Sequence, residues 1–77
     1  MKAYILINVR MGQIKNVIHH LRSAEQVVEA SMTFGPYDAV AVVEIDDLDD
    51  LGRLLASVIQ PIPGVLETLT CLAAEVH

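Results

Sequence analysis

This sequence contains few of the residues that metal, disulfide or nucleophile chemistry requires. Its 77 residues include one cysteine, three histidines and no tryptophan. Cys71 has no partner for a disulfide within the chain, and its strand-like surroundings favour a small buried hydrophobe over a nucleophile. His19 and His20 are adjacent in a helical segment, so they point in different directions and cannot share one metal ion. We therefore expect no metal and no cofactor.

Basic residues are scarce and do not cluster. Lysine and arginine number five against ten acidic residues, which gives a net charge of −5. They are scattered along the chain as Lys2, Arg10, Lys15, Arg22 and Arg53. A protein that binds nucleic acid needs a basic surface to neutralise phosphates. The sequence therefore predicts no direct binding to nucleic acid.

Long hydrophobic runs are missing as well. The longest uninterrupted apolar run is Ala39–Val43, whereas a membrane-spanning helix needs about 18 or more apolar residues. The N-terminus enters a strand-like pattern at once and has no signal-peptide layout. We expect a cytoplasmic protein that makes no membrane contact.

Apolar residues are abundant in this short chain. They make up 53% of the sequence, and the mean hydropathy is +0.47. A chain of this length forms one domain, 1–77, and folding buries only about 60% of its surface. Small domains gain stability from disulfides, metals or self-association, and only self-association fits this composition. We therefore expect an oligomer.

The hydrophobic periodicity predicts six elements in the order βαββαβ. Alternating or continuous apolar patterns predict strands, and spacing at i, i+3, i+4 and i+7 predicts helices. The predicted strands are 2–9, 25–33, 39–45 and 65–76, and the predicted helices are 12–23 and 47–59. Hairpin pairing and right-handed crossovers turn this order into an α+β, ferredoxin-like sandwich. Two helices cover one face of a four-stranded antiparallel sheet in which the first and third strands are central.

The two central strands carry apolar side chains on both faces. In the first strand, Ile5 and Ile7 alternate with Tyr4 and Leu6. The helices can cover only one face of the sheet, so the other apolar face needs a second cover. We expect a homodimer that forms through sheet or edge contacts.

The acidic run 46–50 has two interpretations. Carboxylates this close together are compatible with a metal site, but aspartate is also a favoured N-cap and stabilises the first turn of a helix. We favour capping of the second helix. The sequence has no phosphate-binding loop, nucleophile elbow or paired-cysteine motif, which indicates that the protein is not an enzyme.

The segment between the second and third strands is the one polar and aromatic cluster. Phe34 and Tyr37 flank Gly35-Pro36, and Asp38 follows. Asp38 is a suitable acceptor for an ammonium group, Gly35 permits close backbone approach, and Tyr37 supplies a rim. The alternative is a structural turn in which Asp38 accepts a hydrogen bond from local backbone.

Three short motifs give the chain a family resemblance. Gly35-Pro36-Tyr37-Asp38 fits G-x-Y-D, Ile62-Pro63-Gly64-Val65 fits I-P-G-V, and Thr68-Leu69-Thr70 fits T-x-T. In this order, within a βαββαβ frame, they resemble the ligand-sensing domain of the Lrp/AsnC feast/famine transcription regulators, also called the regulation of amino acid metabolism domain. The resemblance covers essentially all 77 residues.

The resemblance implies a stand-alone sensing domain that lacks the family's helix-turn-helix domain. It implies dimers that assemble into rings such as octamers or decamers, and effectors, typically amino acids, that bind between dimers near the turn. The implied partners also include full-length Lrp/AsnC regulators. The implied ligand-binding residues are Thr33, Gly35, Pro36, Tyr37, Asp38, Thr68 and Thr70. Phe34, at a variable position, either narrows the cleft or serves assembly only.

Three functions are therefore compared. The first is an amino-acid-sensing and oligomerisation module. The second is a purely structural assembly module, in which the aromatic residues of the turn make the contact between dimers. The third is a small enzyme, because dimeric ferredoxin-like folds also host catalysis, although the usual catalytic constellation is not visible.

Overall fold

The computed structural model describes residues 1–74, and these form the predicted βαββαβ order. The strands are β1 (Lys2–Val9), β2 (Val27–Met32), β3 (Ala39–Glu44) and β4 (Val65–Leu72), and the helices are α1 (Ile14–Ser23) and α2 (Leu48–Leu54). A π-helical turn, Leu55–Ile59, continues α2. Within these residues no helix is both long and apolar enough to cross a lipid bilayer.

The four strands form one antiparallel sheet in the order β2-β3-β1-β4. Ile5 shows the arrangement, because it pairs with Ala41 of β3 on one side and with Thr70 of β4 on the other. The first and third strands are central and the other two are edges. The predicted ferredoxin-like fold is confirmed, including the order of its strands.

The hydrophobic core lies between the two helices and one face of the sheet. β1 contributes every second side chain to it, namely Ala3, Ile5, Ile7 and Val9. The helical residues that pack against this face are Val17, Leu21, Leu54 and Ile59. Burial of each large aliphatic side chain stabilises the fold by about 1.5–3 kcal/mol.

Within residues 1–74, no helix covers the other face of the sheet. Register places Tyr4 beside Val42 and Cys71, and Leu6 beside Leu69, on this open face. Tyr4, Leu69 and Cys71 are exposed. The prediction that Cys71 is a buried hydrophobe is therefore wrong for the single chain, because the thiol lies on an edge strand and points away from the helices.

Several predicted element boundaries differ from the structure. β2 covers Val27–Met32 and not 25–33, and β3 ends at Glu44 and not at residue 45. α1 begins at Ile14 rather than at residue 12, because Gly12 adopts a φ of +85° and the Gln13 N–H donates to the Arg10 carbonyl in a turn. β4 ends at Leu72 rather than at residue 76, and the next residue, Ala73, still donates its N–H to the Lys2 carbonyl at 2.9 Å, where β1 begins. Residues 75 and 76 of the predicted last strand lie outside the described residues.

Asp47 caps the second helix, as the sequence predicts. Its carboxylate Oδ1 accepts a hydrogen bond of 2.9 Å from the Asp50 backbone N–H. Asp49 and Asp50 then lie in the first turn, where negative charge complements the helix dipole. The acidic run therefore starts the helix through ordinary capping.

The side chain of Arg22 in α1 contacts the outer edge of the sheet. Its Nε and Nη2 both donate to the Ala30 carbonyl of edge strand β2, at 3.1 and 2.9 Å. This pair of hydrogen bonds ties the end of α1 to β2 and satisfies a backbone acceptor that no neighbouring strand pairs.

Candidate functional site

The turn between β2 and β3 is closed by two hydrogen bonds from Thr33. Its backbone N–H donates to the Asp38 carbonyl at 2.9 Å, and its hydroxyl donates to the Tyr37 carbonyl at 2.7 Å. Both bonds span the tip, 34–36, which is exposed. Thr33 therefore fixes the base of the turn and leaves the tip accessible.

Asp38 joins this turn to the end of β1. Its carboxylate Oδ2 accepts a hydrogen bond of 2.7 Å from the Val9 N–H, and its own N–H donates to the Ile7 carbonyl at 3.0 Å. The Asp38 carboxylate therefore accepts from β1, which is distant in the sequence, and not from the backbone of its own turn. A carboxylate has about four acceptor positions, so one bond to Val9 leaves capacity for a ligand.

The loop between β1 and α1 faces the turn and is held by the I-P-G-V segment. The Arg10 N–H donates to the Gly64 carbonyl at 2.7 Å, and the Asn16 side chain donates to the Pro63 carbonyl at 3.0 Å. Gly64 has a φ of +102°, and a Cβ at this position would lie 2.5 Å from Gln13 Cβ. Glycine is therefore required for this close approach to the start of α1.

A cleft of about 290 Å³ lies between the loop and the turn. Its lining residues are Val9, Arg10, Met11, Gly12, Ile14, Met32, Thr33, Phe34 and Asp38. Two of them are almost fully accessible, since Phe34 is 97% exposed and Met11 is 96% exposed. The lining therefore combines one acidic residue, one basic residue and several apolar residues, of which Met11 and Phe34 are uncovered by the described part of the chain. We refer to this cleft as the turn cleft.

The predicted site residues divide into those that line the turn cleft and those that do not. Thr33 and Asp38 line it, whereas Gly35 and Pro36 are exposed on the tip and Tyr37 is half-buried beside them.

Thr68 and Thr70 lie on edge strand β4. Thr68 pairs with Ile7 on the side opposite Ala39 of β3, so it is about 10 Å, two strand spacings, from the turn. Thr68 lines a different cleft, together with Gln60. The ligand-binding role stays a prediction for all seven residues.

Sequence reasoning missed most of the lining of the turn cleft. Arg10, Met11 and Ile14 come from the loop and the first turn of α1, and Met32 comes from the end of β2. Gly12 was the available signal, because a glycine between a strand and a helix marks the loop that sits at the end of β1. The pattern did not indicate which later segment this loop would face.

Sequence comparison matches residues 2–77 to the Lrp/AsnC ligand binding domain. The chain belongs to this family. A curated Lrp/AsnC-type relative, the HTH-type transcriptional regulator FL11 of Pyrococcus abyssi, is 35% identical over 77 residues, and the match covers 100% of this chain and 50% of that protein. The chain spans about half the length of the curated relatives that it matches.

Two solved structures share the fold of this chain. TTHA0845 from Thermus thermophilus is 30% identical with a TM-score of 0.92, covering 99% of this chain and 95% of that chain. The transcriptional regulator NMB0573 from Neisseria meningitidis, solved as an L-Met complex, has a TM-score of 0.90, covering 96% and 49%. Its identity is 13%, so this second likeness shows the fold alone.

These matches confirm the family and fold that the three motifs indicated. The matched domain is a regulatory ligand-binding domain, and its curated relatives carry the names of transcriptional regulators. The prediction that this Lrp/AsnC domain is not an enzyme is therefore confirmed.

Proposed function

We propose that residues 1–77 form a single domain of the Lrp/AsnC family that senses an amino acid and assembles into a ring of dimers. In this proposal it acts in the cytoplasm and modulates full-length family regulators by co-assembly. The observation that carries the proposal is the position of Asp38, the last residue of the G-x-Y-D turn, in the lining of the turn cleft.

The chemistry of the turn supports an amino-acid effector. An ammonium group carries three donors, and the Asp38 carboxylate retains acceptor positions beyond its bond to Val9. Thr33 keeps an accepting hydroxyl oxygen, while Gly35 and Pro36 expose backbone at the tip. Tyr37 completes the proposed rim.

Thr68 and Thr70 are included in the proposed site as residues of a second copy. Within one chain, β1 separates them from Asp38, so the same effector does not contact all three from one subunit. A site between copies brings them together and makes effector binding depend on assembly. This arrangement fits effectors that bind between dimers.

The open face of the sheet supports the dimer. Tyr4, Leu6, Val42 and Leu69 form adjacent apolar positions there. Sheets that pack face to face bury such side chains at a separation of about 10 Å. We propose that two copies pack through this face, and that dimers then meet through their turns.

The L-Met complex of the Neisseria regulator supports an amino acid as the effector class, because that protein shares the fold. The test is isothermal titration of the twenty amino acids against the purified assembly and its Asp38→Ala variant. Asp49→Ala, which removes an exposed carboxylate from α2, is the matched control. We expect binding that only Asp38→Ala weakens, whereas binding of no amino acid removes the sensing function and leaves assembly.

A second candidate function, assembly without an effector, is favoured by the exposure of Phe34. Phe34 is 97% exposed and lines the same cleft as Met11, which is 96% exposed, and adjoining exposed apolar side chains are typical of a contact surface. Light scattering after size exclusion distinguishes the candidates through Phe34→Ala and Tyr37→Ala. Rings that stay intact in both variants count against an aromatic assembly contact.

A further inference from the structure

The charges that line the turn cleft are balanced. Asp38 is the acidic residue of the lining and Arg10 is the basic one. Within residues 1–74, the ion pair that forms joins Arg53 to Asp50. The Arg10 guanidinium therefore has no carboxylate partner among these residues. Among the described residues, the cleft lining therefore includes one cation without an ion pair and one carboxylate with spare acceptor positions.

The remaining side chains of the lining are largely apolar. Met11, Met32 and Phe34 are exposed, and Ile14 lies between the loop and β2. The whole protein carries a net charge of −5, whereas this part of its surface consists mainly of thioether, aromatic and aliphatic groups. A ligand that covers it removes apolar surface from water, which is favourable at about 25 cal/mol per Å².

We propose that the turn cleft selects zwitterionic α-amino acids with uncharged, apolar side chains. This inference rests on the proposed function and names the class of effector. The ammonium group pairs with Asp38, the α-carboxylate pairs with Arg10, and the side chain lies against Met11, Met32 and Phe34.

The same lining disfavours amino acids with a charged side chain. Within the lining that one chain contributes, their third charge has no opposite charge left to pair with, because the zwitterion already uses Asp38 and Arg10. Desolvation of an unpaired charge against apolar groups is costly. Aspartate, glutamate, lysine and arginine therefore bind more weakly than amino acids of similar size with apolar side chains.

The two methionines make the selection broad within the apolar class. Methionine side chains are unbranched and adapt to differently shaped apolar groups. Met11 and Met32 approach the cleft from the loop and from β2, so they adjust to a ligand from two sides. We expect methionine, leucine and phenylalanine all to bind, with affinities within about tenfold of one another.

The charge assignment is tested with three ligands of matched side chain. L-leucine carries both charges, L-leucinamide lacks the carboxylate, and 4-methylpentanoate lacks the ammonium group. Titration of each into the wild-type assembly is expected to give about tenfold or greater weakening for either analogue. The Arg10→Gln variant is expected to lose the preference for leucine over leucinamide, and Asp38→Asn the preference for leucine over 4-methylpentanoate.

Arg53→Gln is the matched control for Arg10→Gln, because it removes one cation from α2, outside the cleft lining. Leu48→Ser is the control for Met32→Ser, since Leu48 is equally exposed but lies at the start of α2. Met32→Ser is expected to weaken leucine binding several-fold, in line with lost apolar burial. The two controls are expected to bind like the wild type.

The outcomes separate this inference from the function on which it rests. Binding of leucine, methionine and phenylalanine with the analogue preferences above supports the inference. Binding confined to charged or polar amino acids overturns the apolar selection while amino-acid sensing stands. Wild-type preferences in Arg10→Gln overturn the carboxylate assignment, and binding of no amino acid overturns both proposals.

Discussion

The carboxylate of Asp38 accepts a 2.7 Å hydrogen bond from the backbone N–H of Val9, 29 residues earlier in the chain. This bond ties the turn between β2 and β3 to the end of β1, where the loop of the turn cleft begins. One side chain therefore carries both a structural bond and the proposed ligand charge. Variants of Asp38 must separate these two contributions.

Asp38→Ala is expected to lower the free energy of unfolding by about 1–3 kcal/mol, because the Val9 N–H loses a charged acceptor. Asp38→Asn keeps an oxygen acceptor and is expected to lose less. Urea unfolding followed by circular dichroism measures both. Equal stability of Asp38→Ala and the wild type would contradict a structural role for the bond.

Gly64→Ala is expected to destabilise the fold by about 1–3 kcal/mol, because an L-residue rarely adopts its positive φ and the new Cβ would lie 2.5 Å from Gln13 Cβ. Gly52→Ala is the opposite control, since nothing lies within 4 Å of its added Cβ. In helix α2 that change is expected to stabilise by about 0.5–1 kcal/mol. Thermal unfolding measures both variants. A shift of their two unfolding temperatures in the same direction would contradict the close approach at Gly64.

Asp47→Ala is expected to cost about 1 kcal/mol of stability, because the Asp50 N–H at the start of α2 loses its cap. Asp49→Ala removes the same charge from the first turn without removing a cap bond. Its expected cost is therefore smaller, about 0.3–1 kcal/mol from the helix dipole. Chemical unfolding of the pair gives the ranking, and a larger loss in Asp49→Ala contradicts the capping assignment.

Leu69→Glu is expected to lower the molar mass of the assembly, because it places a carboxylate on the open face of the sheet. Burial of a charge without a partner at a sheet interface is unfavourable. Leu48→Glu is the control, since Leu48 is 57% exposed and Leu69 is 49% exposed, but Leu48 lies on the side of the helices. Light scattering after size exclusion measures the mass. An unchanged mass for Leu69→Glu rejects this face as the dimer contact.

The strands and their order follow closely from the sequence, because side-chain alternation depends on local residues. The predicted first strand, 2–9, matches β1, and the continuous apolar run of β3 indicated its central position. Asp47 was predicted as a cap from its place before an apolar helix pattern. Each of these features is decided by residues that are close together in the chain.

The turn cleft could not be predicted in the same way. Its lining combines the loop after β1, the end of β2 and the turn, which meet only because the sheet places β3 beside β1. Met32 looked like an ordinary strand residue, and Arg10 looked like one of five scattered cations. The exposure of Cys71 depends on which face of edge strand β4 lies under the helices, and the sequence around the cysteine does not decide this.

The two hydrogen bonds from Arg22 to Ala30 affect how copies of this chain can associate. An edge strand with free backbone groups is a template on which another strand can extend the sheet. At Ala30 of β2, an approaching strand would meet a carbonyl that already accepts from two guanidinium nitrogens. A strand that adds to this edge would have to displace Arg22 from Ala30, so extension of the sheet through β2 is opposed at this position.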